Sequence, residues 1–406
     1  MNTSALGKLN VIEWTNSVPG AYCGKMFGDM GASVIKVEKP GIGDEARRAG
    51  PYPGDIPHQE KSGLFLFLNA NKQGVTLNLE TAVGVKIFKE LVSRADLLID
   101  SSPPDEKKRL GLKYEDLRKM NPKLVMLSIT PFGQTGPYSD YKSSNLINYS
   151  ISGNAFNNPG EGVDGIDKNP PLKVPVHMAD YMSGATGAAA AMSAIMTRKI
   201  SGSGQHIDLS EQEALASAAR LDLYRYCYTG IVHSRDRRKR RGGNRVMYPC
   251  KDGYVAMSLI GGLIWPSLAK MMDNPDWTGE EWFLDNAKRS ENSEKLTELI
   301  TGWMKEHTME EISRAAKREG VPCSPVRTMK QLEVDEQLTA RDFFIEIEHP
   351  EAGTLKYPGA PYKLSATPWR MKSPAPLLGE GNEYVYCQTL GYTRQDLVKM
   401  RQAGVI

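Results

Sequence analysis

The chain has 406 residues, with 51 Lys+Arg against 48 Asp+Glu and a formal net charge of +3. Apolar residues at 40% and charged residues at 24% form a normal globular balance, which excludes a disordered, collagen-like or disulfide-stapled chain. The length predicts more than one domain, and so small a net charge gives no argument for a nucleic-acid partner.

The first 135 residues alternate strand and helix patterns. Asn10–Trp14 reads as a strand, Gly20–Gly31 as a helix and Ser33–Glu38 as the next strand. Val75–Leu79 reads as a strand, followed by a helix over Glu80–Ala95 with Ile87, Phe88, Leu91 and Val92 among its apolar positions. Asp96–Asp100 and Leu124–Ile129 are further strands, with a short helix (YEDLRKM) between them. Strands separated by single helices imply right-handed crossovers and a parallel sheet. The apolar run LVMLSI suits a strand covered on both faces. Gly20, Gly24 and Gly28 recur every four residues, on one side of a helix. Glycine inside a helix costs about 1 kcal/mol against alanine, so three in register predict close packing there or close approach to a ligand.

Residues 135–175 are loop-rich. Gly184–Thr197 (GATGAAAAMSAIMT) reads as a helix of small residues that needs a tightly apposed neighbour. A strand over 206–210 and a helix over Glu211–Tyr226 follow, then the basic run RDRRKRRGG at 235–243. Residues 251–260 read as a hairpin turn and strand, 264–320 as mostly helical, and the tail as an amphipathic helix. The predicted fold class is α/β: a parallel Rossmann-like sheet domain with a second, smaller α+β domain. The predicted spans are 1–225 for the large domain, 226–335 for a linker and small domain, and 336–406 for a segment returning to the large one.

The five cysteines show no CxxC and the six histidines no HExxH, so the sequence suggests no metal site and no disulfide framework. GxGxxG, the P-loop and GxSxG are absent as well. No basic start leads into an apolar stretch, and no window approaches 18 uninterrupted apolar residues. The expectation is a soluble cytoplasmic protein with no membrane partner.

The most informative segment is VPVHMADYMSGATG at 174–187. Asp180 follows an apolar stretch and precedes the helix of small residues. An aspartate there can cap the helix and gain from its positive end. The same place suits a carboxylate nucleophile, held near backbone N–H groups that stabilise an oxyanion. His177, three residues earlier, reads as a packed core histidine or as a group that orients substrate.

At this point the chain resembles the family III CoA-transferases, of the formyl-CoA transferase and carnitine CoA-transferase kind. The resemblance runs nearly end to end. It is carried by GDMGASVIKVEKPGIGDEAR (28–47), NANKQGVTLNL (69–79), ADLLID (95–100), the stretch 110–138, HMADYMSG (177–184), SGSGQHIDLSEQEAL (201–215) and LGYTRQDLVKMRQAGVI at the end. It implies that Asp180 is the catalytic nucleophile, passing through an aspartyl anhydride and an aspartyl-CoA thioester. It implies CoA-binding roles for Lys39, Asn71, Lys72, Arg109 and Leu110, within a large CoA-binding domain. Cations and an amide suit a ligand with several phosphate charges. Gly261 and Gly262 match an active-site loop that closes in relatives. No permanently bound cofactor and no metal are implied; coenzyme A or acyl-CoA enters as substrate, beside an organic acid. An interlocked homodimer, or a heteromer with a related subunit, is implied too.

Two departures bear on function. SSPPD (101–105) stands where the family usually has Asn-Phe-x-Pro-Gly, and Ser144-Asn145 stands where racemising relatives carry His-Asp. Racemase or isomerase chemistry on the same fold is therefore disfavoured, and a non-catalytic partner subunit is the other alternative. The run Arg235–Arg241 has six cations in seven residues and reads as a solvated or subunit-bridging linker. It leans the substrate towards a dianionic, succinyl or benzylsuccinate-type pair.

Overall fold

The computed structural model describes residues 4–158, 170–218, 220–232, 246–259, 261 and 264–406. The basic run Arg235–Arg241 and Gly262 lie outside the described residues. The chain forms two compact units. The first comprises Met1–Asn154, Val174–Arg220 and Thr339–Ile406, and the second Ala155–Lys173 and Leu221–Leu338.

The first unit is built on six strands: β1 (Asn10–Trp14), β2 (Ser33–Glu38), β3 (Lys72–Thr76), β4 (Leu97–Asp100), β5 (Val125–Thr130) and β6 (His206–Ser210). Every pairing is parallel and the order is β3-β2-β1-β4-β5-β6. This is the α/β fold predicted from the strand–helix alternation. Its helices are α1 (Val18–Asp29), α2 (Gly63–Asn69), α3 (Ala82–Ser93), α4 (Pro104–Leu110), α5 (Tyr114–Met120), α6 (Asn145–Ile151), α7 (Met178–Ser201) and α8 (Glu211–Ala218). The strand order reverses between β1 and β4, the position at which open α/β sheets leave a crevice for ligands.

Alternate side chains along each strand feed two cores. On one face Ile12, Leu98 and Met126 pack with Ile87, Phe88 and Leu91 of α3. On the other, Val11, Leu97, Ile99 and Leu127 pack with Phe27 of α1 and Ala191 and Ile195 of α7. The third strand lies three residues before the predicted Val75–Leu79. It ends where its partner β2 ends, since Glu38 pairs with Thr76, and after one more backbone bond the chain leaves the sheet. Helix α1 starts at Val18, two residues early, because Pro19 is favoured in a first helical turn. The predicted helix over Glu211–Tyr226 is two helices, α8 and Arg220–Thr229.

Under α1 lies a buried charge cluster. Lys36 and Lys72 each reach Glu13, at 2.9 and 2.7 Å, and Lys36 also reaches Asp44 at 2.6 Å. All four side chains are almost fully buried. The recurring glycines of α1 face this region. A Cβ on Gly24 would lie 1.9 Å from Glu13 Oε2, and one on Gly20 2.5 Å from Thr15 Cγ2. The spacing of four is thus a packing requirement: the helix lies directly on the charges of the sheet.

The chain's end closes the unit. Asn382 accepts from Thr76 N and donates to Thr76 Oγ1, Tyr386 Oη donates to Thr76 O, and Asn78 N donates to Val405 O. The last helix spans Arg394–Gln402 and starts with a Thr393–Asp396 capping box.

In the second unit β7 (Met247–Cys250), β8 (Gly253–Met257) and β9 (Cys323–Pro325) form an antiparallel sheet in that order. Val255 packs with Leu268, Ile300 and Ile312 from helices Ile264–Met271, Ser293–Glu306 and Met309–Glu319. Among the described residues no helix is long and apolar enough to cross a membrane.

Overpacking a closed site is destabilising, so Gly24→Ala should lower the unfolding free energy by about 3 kcal/mol. Gly302, in an open stretch of helix Ser293–Glu306, should respond oppositely, Gly302→Ala adding about 1 kcal/mol. Urea unfolding of both variants checks the pair; equal effects would remove the packing account of the α1 glycines.

Candidate active site

Asp180 sits in the first turn of α7 and is 6% exposed. The helix begins six residues before the predicted Gly184, so the aspartate is inside it. His177 takes the N-cap position and makes no side-chain cap bond. The capping role expected for Asp180 is therefore not the one it plays. Its Oδ2 lies 2.7 Å from His177 Nδ1. His177 is only partly buried and touches the carboxylate directly, so it is no core histidine.

The position of α7 follows from its small residues. A Cβ on Gly184 would lie 2.5 Å from Pro19 O, and one on Gly187 3.0 Å from Ile129 Cδ1. At its other end Arg198 bonds the carbonyls of Asp96 and Lys123. The helix thus runs antiparallel to the strands, from their carboxyl ends to their amino ends. Asp180, two turns before Gly187, stands beyond the carboxyl edge beside the start of α1. Tyr22 and Tyr181 pack nearby with ring centres 4.8 Å apart.

Glu211 is a second buried acid at the same edge. It follows Ser210, which pairs with Thr130 at the end of β5. It is 5% exposed and accepts from Asn148 Nδ2 of α6 at 2.8 Å; Asn148 Oδ1 in turn accepts from Ser143. Burial, reinforced by the charge of Asp180, pushes the Glu211 carboxyl up to about 7. Near neutral pH this acid is therefore substantially protonated beside an aspartate. Sequence reading misses it, because a glutamate in the first turn of a helix looks like ordinary dipole compensation.

The expected CoA-binding residues separate into two groups. Lys39 directly follows β2, and Arg109 and Leu110 end α4, the helix that follows β4. Lys39 and Arg109 are exposed, and Leu110 is half-buried against the α3 core. Arg109 makes a two-bond fork with Glu80, at 2.5 and 2.8 Å, and Lys39 acts electrostatically on the same glutamate. These residues share the carboxyl edge. Asn71 and Lys72 do not. Lys72 pairs with Val34, at the opposite end of β2, about 16 Å from Lys39 at the usual strand rise.

Asn71 and Lys72 are also fully engaged. Lys72 Nζ is buried on Glu13, Asn69 Oδ1 and Ala21 O, and burial pulls it down to about 8. Asn71 holds a left-handed backbone (φ 63°), donates to Asp29, and accepts from the backbone N–H groups of Lys372 and Ser373. Both residues tie the sheet to its surroundings. Gly261, in the second unit, is exposed with φ +100° and has nothing within 4 Å of a Cβ position. Among the described residues no group of three His, Cys, Asp or Glu side chains could hold a metal ion.

A doubly wound sheet with a buried carboxylate and exposed cations beyond its carboxyl edge is the architecture of an open α/β enzyme. The chain belongs to CoA-transferase family III, whose model matches residues 6–382. It is 29% identical to the succinyl-CoA–D-citramalate CoA-transferase of Chloroflexus aurantiacus, over 99% of this chain and 98% of that one. It is 30% identical to the succinyl-CoA:(R)-benzylsuccinate CoA-transferase subunit BbsE of Thauera aromatica, over 98% and 97%. The crystal structure of a CAIB/BAIF family protein from Brucella suis superposes with a TM-score of 0.84 at 26% identity, covering 96% of this chain and all of that one. The protein is an enzyme of this family, and CoA thioesters are the substrates of the class.

The raised Glu211 carboxyl sets a pH dependence. The folded state holds this proton above the ordinary glutamate range, so the contribution of Glu211 to stability is greatest at low pH and falls as pH rises from about 4.5 through about 7. The contribution lost is about 3 kcal/mol. Glu211→Gln should flatten the fall, seen as converging melting temperatures of variant and wild type at pH 5 and diverging ones at pH 8. Parallel curves would remove the assignment.

Proposed function

We propose that the protein moves CoA from succinyl-CoA to an organic acid, with Asp180 as the covalent nucleophile. The observation that carries this reading is the carboxylate itself: buried, in the first turn of α7, with one oxygen fixed by His177. A carboxylate is a weak nucleophile in water, but one already fixed and largely desolvated needs little reorganisation before attack. The succinyl-CoA donors of the two named relatives support the choice of donor.

The chemistry balances without a net proton. Asp180 attacks the thioester carbonyl, the C–S bond breaks, and CoA thiolate leaves behind an aspartyl–succinyl anhydride. The thiolate attacks the aspartyl carbon, succinate departs, and an aspartyl-CoA thioester remains. The acceptor carboxylate attacks that thioester and expels the thiolate to give a second anhydride. The thiolate then attacks the acceptor's acyl carbon, which frees the new CoA ester and restores Asp180. Each tetrahedral intermediate carries an oxyanion, and the amides of the first turn of α7 supply a fixed positive dipole beside Asp180.

Lys39, Arg109 and Leu110 are the residues we assign to the CoA nucleotide, while Asn71 and Lys72 are assigned to the fold. The conformational freedom of Gly261 is what a closing loop requires. Exposed Leu146, Ile147 and Ile151 on α6, with Met196 and Ile200 on α7, support assembly with a second copy or a related subunit.

Intact-protein mass spectrometry after succinyl-CoA and then hydroxylamine tests the nucleophile. Wild type should acquire a hydroxamate at Asp180, and Asp180→Ala should acquire none and lose transferase activity by at least about 1,000-fold, as expected for a covalent catalyst. An unlabelled Asp180 with any acyl-CoA, together with acceptor-independent exchange of the α-proton in deuterated water, would replace this reading with an isomerase.

A further inference from the structure

We propose that Glu80 is a built-in competitor for the phosphates of CoA, holding the Arg109 guanidinium until a phosphate displaces it. The proposal deepens the reading above and rests on the nucleotide binding at Lys39 and Arg109. Three observations carry it. The fork between Arg109 and Glu80 is bidentate, the geometry a guanidinium also offers a phosphate, so the two anions compete for the same N–H groups. The pair is open to solvent, with side chains 55% and 53% exposed. An ion pair so exposed adds little to folding.

The third observation is placement. Glu80 lies in the turn between β3 and α3, where its N–H donates to Asn78 Oδ1 and Thr81 caps the helix. The carboxylate is thus anchored at the carboxyl edge of the sheet, among the cations. The Arg109 hydrogen bonds hold it below the ordinary glutamate range, with Lys39 adding to the effect. It is therefore a full negative charge at any physiological pH. Glu106 also faces Arg109 electrostatically. Lys39 and Arg109 are consequently matched by two acids, where a polyanion would gain most from unopposed cations.

The consequence is a tuned affinity. An incoming phosphate must take over a fork that is already made, so it gains less than it would from a free guanidinium. Removing the Glu80 charge leaves Arg109 and Lys39 facing the ligand. KM for succinyl-CoA should fall about two- to five-fold in Glu80→Gln, the range expected from freeing one exposed ion pair, and further in Glu80→Lys. A succinyl-pantetheine thioester carries no phosphate, so its KM should be the same in wild type and both variants.

Arg109→Ala completes the experiment and should raise KM for succinyl-CoA. If it does, and the Glu80 variants leave KM unchanged or raise it, the competitor role is overturned while the nucleotide site stands. If Arg109→Ala has no effect either, the placement of CoA at this edge falls and the inference with it. An equal fall of KM for the pantetheine thioester would overturn the inference by showing a general effect on the acyl site.

Discussion

Everything at the working edge of this sheet depends on a group of charges buried beneath its first helix. Glu13 on β1 holds Lys36 on β2 and Lys72 on β3, and Asp44 completes the set. Taking four ionised groups out of water is costly, and such clusters persist only when every member is paired. The pairing also binds three adjacent strands side chain to side chain, beyond their backbone ladder. It constrains α1 in turn, because only a helix lacking Cβ atoms at Gly20 and Gly24 can lie this close. The start of α1 is then fixed beside the carboxyl end of β1. From that point α7 is positioned through the contact of Gly184 with Pro19 O.

The two long helices divide the labour between placement and chemistry. Arg198 pins α7 to the amino edge through the carbonyls of Asp96 and Lys123. The opposite end, with its uncompensated N–H groups, is left to Asp180. A carboxylate there gains from the helix dipole, loses hydration to burial, and is oriented by His177. The same edge carries Glu211, held by Asn148. A protonated carboxyl beside an ionised one is the expected state of two buried acids that act on each other.

Much of the fold is legible in the sequence because strands and helices alternate with clear apolar periods, and the order of motifs alone points to Asp180. What stays hidden has one cause. The resemblance assigns Lys72 and Asn71 to CoA, and a sequence does not declare that a lysine is buried on a glutamate 59 positions earlier. The third strand reads three residues late because VTLNL keeps the alternating pattern after its pairing partner has ended. His177 reads as a packed core histidine or as a group that orients substrate, and the structure leaves its ring partly exposed with Nδ1 beside Asp180. Glu80 and Glu211 give no local signal, since Glu80 lies in the turn before a helix and Glu211 opens one, where acids are common. Their significance arises from partners 29 and 63 positions away.

The electrostatics at the two ends of the proposed CoA path also bear on the acid it carries. An acyl group with a free carboxylate brings a further negative charge towards Asp180, and like charges in a poorly solvated site repel strongly. Were Glu211 ionised as well, three anions would converge there. Burial and the charge of Asp180 push the Glu211 carboxyl up to about 7, so about half of that charge is absent at neutral pH. In the proposed covalent step acylation neutralises Asp180, so the part of the Glu211 proton's hold that comes from Asp180 relaxes. Glu211 thus answers to the charge state of the nucleophile, and a dicarboxylic acid meets fewer opposing charges than the residue types alone imply.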